Sequence, residues 1–306
     1  MNLPQTTIID REAIAEAMPK VKKVNLPEID SLADAVEMGN GDQSKNWGSY
    51  RSSQTRCKKD GWHGTISWPA CRKLVAAGWV EGREKVAAQL TEIFDSGAAA
   101  LAAGEAVAHA VGGAYPDVPL YVAGEVCHMV DNGEQLGEKP IIKLIVNVSA
   151  SAGIKSDRLI NRGAAITALV DQIESAGNSC EIYAVEPTRT SEGDFVTAPM
   201  VKVKTAGEVV SIDDIAFALG HPSMLRRVFF ALMEIDPATD GHSLHSGYGV
   251  PIDLPAAALP ADAIYLRGVN HDASRYRTAA SSMEFVREIY NKQAEDNGLQ
   301  TAGGAL

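Results

Sequence analysis

Apolar and polar positions repeat with two different periods along this chain, and each change of period marks an element. The nearly unbroken branched-apolar run IIKLIVNV at residues 141–148 predicts a central strand covered on both faces, as in a parallel α/β sheet. A helical period then takes over at residues 157–176. Leu159, Ile160, Ala164, Ile166, Leu169, Val170 and Ile173 form its buried stripe, and Gly177 ends it. Strand-like residues 179–185 follow at once, so a β-α-β unit is predicted, with a right-handed crossover if the strands are parallel. Residues 200–204 read as a further strand. A helical run containing Ile215, Leu219, Leu225, Val228, Phe229 and Leu232 comes next, interrupted at His221-Pro222. A strand at 263–267 and a helix at 281–297 complete the pattern, and the small residues of 298–306 predict a frayed tail.

Upstream the signals are weaker. Residues 1–30, broken by Pro4, Pro19 and Pro27, read as an arm or irregular packing segment, and 31–68 read as loops or short strands. From Pro69, a good first helical residue, Leu74, Val75, Trp79, Val86, Leu90 and Ile93 recur at helical spacing, with Gly78 and Gly82 as candidate divisions. Residues 98–111 predict another helix and 120–122 a short strand. The division expected is therefore an N-terminal interaction or packing module at 1–135, an α/β domain at 136–298 and a flexible tail at 299–306, with both portions free to share one core.

Composition agrees with a folded protein, since 45% of residues are hydrophobic and 22% charged. The net charge of −11 disfavours indiscriminate attraction to nucleic acid or anionic membranes, although a local cationic groove is compatible with it. No apolar stretch reaches membrane-spanning length and the N-terminus has no basic leader, so a cytoplasmic location without membrane contact is expected. The cysteines Cys57, Cys71, Cys127 and Cys180 are widely separated, which predicts reduced thiols rather than a disulfide framework. Cys57, His63 and Cys71 match no specific zinc spacing.

The most informative chemistry lies where the central strand ends. In Asn147-Val-Ser149-Ala-Ser151, two hydroxyls one residue apart in a tight turn are able to face one ion or one partner. This strand, turn and helix resemble a von Willebrand factor A-like domain, whose metal-adhesion pattern begins Asp-x-Ser-x-Ser; here Asn147 replaces the aspartate. The resemblance covers residues 140–186, with a weaker topological fit through 268, and implies a three-layer α/β fold with an N-terminal aromatic and helical extension. It also implies a candidate Mg²⁺ or Ca²⁺ site at Asn147, Ser149 and Ser151, with Asp213 and Asp214 as compensating carboxylates. Without the aspartate's charge, metal affinity should fall, and a metal-independent interaction turn or plain structural capping are the other readings. No resident cofactor is expected. The wider chain is similar to proteins of phages and mobile elements that join a tryptophan-containing segment to such a domain, through Gly78-Trp79-Val-Glu-Gly82, Asn161-Arg162-Gly163 and His221-Pro-Ser-Met-Leu-Arg226.

Arg162 is expected to anchor a carboxylate or a sheet-edge carbonyl, or else to touch a partner. Lys45, Arg51, Arg56, Lys58 and Lys59 interleave with Trp47, Tyr50 and Trp62, a combination that suits either phosphate contact with base stacking on single-stranded DNA or a small aromatic core with solvated cations. The loop holding Asp240, His242 and His245 carries acid–base groups but no nucleophile elbow, and GxxxxGK[ST], GxGxxG and HExxH are absent. These readings predict a non-enzymatic phage or mobile-element adaptor that assembles a complex with a phage or host protein, in genome processing or transcription. A single-stranded-DNA-binding accessory protein is the alternative, and a metal-dependent hydrolase a remote one.

Overall fold

The computed structural model describes residues 7–39, 63–96 and 141–302, except 152, 191, 237–250, 271 and 300, together with short pieces between 108 and 131. The N-terminal proline-broken segment forms strands rather than an irregular arm. β1 (Thr7–Asp10) leads into a helical turn, α1 (Arg11–Ile14), then β2 (Lys23–Leu26), β3 (Glu28–Ile29) and α2 (Leu32–Gly39). Periodicity missed these strands because they are short and their partners are distant: β2 pairs in parallel with β10 (Phe195–Thr197), and β3 with β11 (Met200–Lys204).

Helix α3 (Trp68–Ala77) starts on a capped Ser67, whose hydroxyl accepts the Ala70 amide at 3.2 Å, with Pro69 in the first turn. Gly78, at φ +82°, turns the chain into α4 (Val80–Asp95), so this glycine divides the run. Gly82 stays within α4, where a Cβ would lie 2.0 Å from the Trp79 ring. The helix expected at 98–111 is corrected at its end, where Ala108–Ala110 is strand β4; β4, β6 (Met129–Asp131) and β5 (Tyr115–Pro116) form a small antiparallel sheet. The rest of that expected helix and the proposed boundary near 135 lie outside the described residues.

The main sheet has the order β12-β7-β8-β11-β3. β7 (Ile141–Asn147), β8 (Ser179–Val185) and β12 (Ala263–Leu266) are mutually parallel, with Asn147 opposite Val185 and Leu266 opposite Val146. β11 is antiparallel to β8. α5 (Ser156–Ser175) makes the β7-to-β8 crossover and ends in a Schellman motif: the Gly177 amide reaches the Glu174 carbonyl at 2.8 Å and the Asn178 amide the Ile173 carbonyl at 3.3 Å. A second sheet, β1-β2-β10-β9, includes β9 (Thr188–Arg189).

Alternation along the strands gives the main sheet two buried faces. Leu144, Val146, Ile182, Ala184, Ile264 and Leu266 pack with α4, α5 and the terminal helix α8 (Ala279–Asp296). On the other face Ile145, Tyr183, Val185 and Tyr265 meet Ile14, Val24, Leu26 and Leu254, so a sheet and irregular chain cover it. Between β11 and β12, α6 (Ile212–Ile215) continues as a π-helix at Ala216–Gly220. The chain breaks at His221 and resumes as a π-helix at Met224–Phe229 that leads into α7 (Phe230–Ile235). The expected interruption at His221-Pro222 is thus present.

The tail does not fray at 298. Leu299 donates to the Ala294 carbonyl at 2.7 Å, and Ala302 exchanges hydrogen bonds with the Asn291 side chain at 2.8 and 3.1 Å. Cys71, Cys127 and Cys180 are not joined in disulfides.

Candidate functional site

From β7 the chain crosses to β8 on one side, whereas β12 arrives from far along the sequence on the other. Strand order therefore reverses at β7, and the crevice beyond the carboxyl ends of β7 and β12 is where open α/β sheets bind ligands. Residues 147–151 and 266–270 meet there, with the Ser151 amide on Asn270 Oδ1 and Gly268 against Ser149.

Asn147 is fully buried and turned inward. Its Oδ1 accepts the Ser149 amide at 2.9 Å, which closes a side-chain turn at the strand end, and its Nδ2 donates to the Ile252 carbonyl (2.8 Å), Asp253 Oδ1 (3.0 Å) and the Tyr265 hydroxyl (3.0 Å). The Asp253 carboxylate also accepts the Gly268 amide at 2.9 Å and Arg267 Nε at 3.3 Å. Burial, with Asp253 nearby, drives the Tyr265 phenol far above its ordinary range, which keeps it a neutral donor to that carboxylate.

Arg162 reaches this end of the sheet from α5 and is only 2% exposed. Its guanidinium donates to the carbonyls of Asn147 (2.7 Å), Leu266 (2.9 Å) and Arg267 (2.6 Å), so one buried cation ties the ends of β7 and β12 together. The sheet-carbonyl anchor expected for Arg162 is present. Direct contact with a partner is corrected, because the guanidinium faces main chain and the side chain is buried.

Ser149 is 1% exposed and its Oγ has no hydrogen-bond partner; a Cβ on Gly268 would stand 2.8 Å from it. Ser151 is exposed, and its amide is held by Asn270 Oδ1 at 2.6 Å. The expected pair of outward hydroxyls is thus not formed, since the turn presents Ser151 while Ser149 packs under Gly268. Nor does the turn gather Asp213 and Asp214. Asp213 is paired with Arg83 at 3.1 Å and sits against Gly78, while Asp214 lines a separate pocket with Lys202, Lys204 and Glu208. The five-residue donor set Asn147, Ser149, Ser151, Asp213 and Asp214 is therefore not assembled. Among the described residues no group of three or more His, Cys, Asp or Glu side chains is placed to hold a metal.

Beside the turn lies a pocket of about 250 Å³, lined by Val148, Ser151, Leu159, Leu219, His221 and Leu225 among others. Its lining mixes apolar side chains with the polar Ser156 and the cationic Arg226. His221 stacks on Phe217 (centroids 5.3 Å) and meets the edge of Trp79 (4.6 Å), and its Nδ1 accepts the Ser223 amide at 3.1 Å. Desolvation lowers its pKa to about 4, against the pull of Glu81 and with help from Arg227, so the ring is neutral and its Nε2 carries the hydrogen.

Sequence reasoning missed Asp253, Tyr265 and Gly268, which come from more than a hundred residues beyond Asn147. It also missed Glu186, a fully buried carboxylate just after β8, whose pKa burial raises to about 8 against a 2.8 Å hydrogen bond from Thr188. The alternation of apolar residues into Val185 gave no sign of a carboxylate turned inward. Thr188 is occupied by that bond, and Thr190 bonds Asp194 at 3.2 Å. The aromatic and basic set Lys45, Trp47, Tyr50, Arg51, Arg56, Lys58, Lys59 and Trp62 lies outside the described residues, as do Cys57, His242 and His245.

Fold and crevice together define a mixed α/β protein with an internally held turn at the reversal point of its main sheet. The chain belongs to the family described as a domain of unknown function, DUF7192, which matches residues 7–295. No curated protein and no solved structure matches it. Among the described residues, no helix is long and apolar enough to cross a membrane.

Proposed function

We propose that this chain is a non-enzymatic adaptor that captures a protein partner at the pocket beside the end of β7, on a divergent von Willebrand factor A-like scaffold that recognises its partner without a metal ion at the serine turn. The observation that carries this reading is the arrangement of Arg162 and Asn147. Together they satisfy the strand ends from within, which leaves Ser151 exposed at the rim of a pocket that mixes apolar side chains with Ser156, His221 and Arg226. Such a site suits burial of a partner's apolar side chain, with hydroxyl and main-chain hydrogen bonds setting its direction. A phage or host protein as partner and a role in genome processing or transcription follow from the phage-protein resemblance, and a cytoplasmic setting from the apolar patterning of the sequence; all belong to the same proposal.

The test is selection of peptides from a displayed random library on the full chain. Peptides rich in a central aliphatic or aromatic residue should be enriched, keep their affinity in chelator, and lose it at least tenfold on Ser151→Trp, which fills the rim of the pocket. Enrichment of the same peptides by wild type and Ser151→Trp, with both proteins folded, would sink the reading. Single-stranded DNA binding through Trp47 and Arg56 is the competing outcome; it would appear as salt-dependent oligonucleotide affinity that falls in Trp47→Ala and Arg56→Ala.

A further inference from the structure

A second concave surface lies away from the Ser151 pocket, where the carboxyl ends of α4 and α5 meet the loop between β11 and α6. This groove of about 430 Å³ is lined by Leu90 and Phe94 from α4, Asp171 and Glu174 from α5, and Glu208 and Val209 from the loop, among others. It shares no lining residue with the Ser151 pocket. Phe94 is 47% and Val209 93% exposed. A single exposed apolar side chain is ordinary, whereas several lining one groove mark a contact surface. A closed turn fixes the loop just before Val209: the Glu208 amide donates to the Thr205 carbonyl at 3.2 Å, and Gly207, at φ +80°, takes the left-handed conformation that the third turn position requires.

The groove carries one sign of charge. Asp171, Glu174 and Glu208 line it, and among the described residues that line it none is a lysine or arginine. Glu174 is offset by the buried Lys204, 2.6 Å away. Asp171 and Glu208 have no ion-pair partner among the described residues. A helix carboxyl end already carries partial negative charge, which a lysine or arginine in the last turn would offset. Neither α4 nor α5 has a basic residue there, and Glu92, Asp95 and Glu174 occupy these turns instead. The resulting negative potential is relieved by positive charge from outside, and the exposed side chains by apolar contact.

We propose that this groove docks a cationic amphipathic segment of a partner protein, with its apolar side chains against Leu90, Phe94 and Val209 and its lysines or arginines facing Asp171 and Glu208. Electrostatic steering speeds encounter and rejects acidic sequences, and the apolar contacts supply affinity. The same carboxylates repel nucleic acid and anionic lipid, and a second copy of this chain, at net charge −11, brings the wrong sign.

The test uses the full chain and a synthetic amphipathic helix of leucine and lysine with one tryptophan, read by fluorescence anisotropy beside a leucine and glutamate counterpart and a scramble of the lysine peptide. The lysine peptide should bind, more weakly at high salt; the scramble should bind far less and the glutamate peptide not at all. Val209→Lys, at an exposed turn position, should leave the melting temperature unchanged and weaken binding by about tenfold or more. Asp171→Asn combined with Glu208→Gln should weaken it about threefold and flatten the salt dependence. Ser151→Trp should bind the peptide as wild type does. In backbone amide NMR the peptide should shift the Leu90, Phe94 and Val209 signals and spare Ser151. No binding by wild type, equal binding of the scramble, affinity unchanged in Val209→Lys or in the charge-neutral pair, or shifts confined to another surface would each overturn the proposal. Dimerisation of the chain alone that Val209→Lys abolishes would assign the groove to a second copy and overturn it equally.

Discussion

The two buried polar groups of this protein meet the same physical problem with different means. At the end of β7 and β12, positive charge is covalently part of the fold, because Arg162 delivers a guanidinium to the carbonyls of Asn147, Leu266 and Arg267. Over β9, β10 and β2 the buried acids are Asp236 and Glu186, the second with its pKa raised by burial to about 8, and Glu186 Oε1 and Asn25 Oδ1 have no hydrogen-bond partner. The first group is self-sufficient apart from Ser149 Oγ and Arg162 Nε. A turn that looks in sequence like a weakened ion site is therefore held chiefly by the fold's own side chains, while Glu186 and Asn25 lie where no motif marks them.

The largest effect should come from removing the internal cation. Arg162→Ala leaves buried carbonyls unmet at the joined ends of two central strands and should cost about 3–5 kcal/mol in urea unfolding. Arg162→Lys should recover less than half, since an ammonium cannot span the acceptors with a planar fork. A loss under about 1 kcal/mol in Arg162→Ala would mean that the strand ends hold without it.

Next in size is Asn147→Asp, which restores the aspartate of the von Willebrand factor A-like pattern. It also replaces the donor to the Ile252 carbonyl and Asp253 Oδ1 with a carboxylate. The expected outcome is a loss of about 2–4 kcal/mol at neutral pH, and no Mg²⁺-dependent recovery. Recovery by Mg²⁺ would show that the turn is an ion site after all.

Gly268→Ala should cost about 1–3 kcal/mol by pressing a methyl group onto Ser149 Oγ. Part of that loss should return in the Ser149→Ala background, because the hydroxyl removed makes no hydrogen bond. Additive losses in the double variant would break the packing account of that serine.

The smallest effect concerns His221. Its folded pKa of about 4 lies below its ordinary value of 6.5, so the unfolded chain binds the proton first and stability falls as pH drops through that interval. His221→Gln should flatten the melting temperature between pH 6.5 and 4 by a few degrees relative to wild type. An unchanged slope would show that the folded ring takes up its proton in the same pH range as the unfolded chain.

Local chemistry was legible in the sequence where neighbours along the chain decide the structure. The β7-α5-β8 unit, the break at His221-Pro222 and the anchoring use of Arg162 all follow from adjacent residues: an unbroken apolar run, a proline, and an arginine beside small residues on a crossover helix. The rest depends on pairs remote in sequence. β2 and β3 are strands because β10 and β11 offer edges, the inward turn of Ser149 follows from the missing side chain at Gly268, and Asp236 reaches Asn25 across 211 residues. No period in the sequence encodes those contacts.

Hydrogen–deuterium exchange at residues 147–151 and 266–268 tests most directly whether the turn stands on Arg162 instead of a bound ion. Exchange there should be equally slow in chelator and in excess Mg²⁺, and should accelerate by an order of magnitude or more in Arg162→Lys. Protection that is lost in chelator and regained with Mg²⁺, with Arg162→Lys behaving as wild type, would contradict the account.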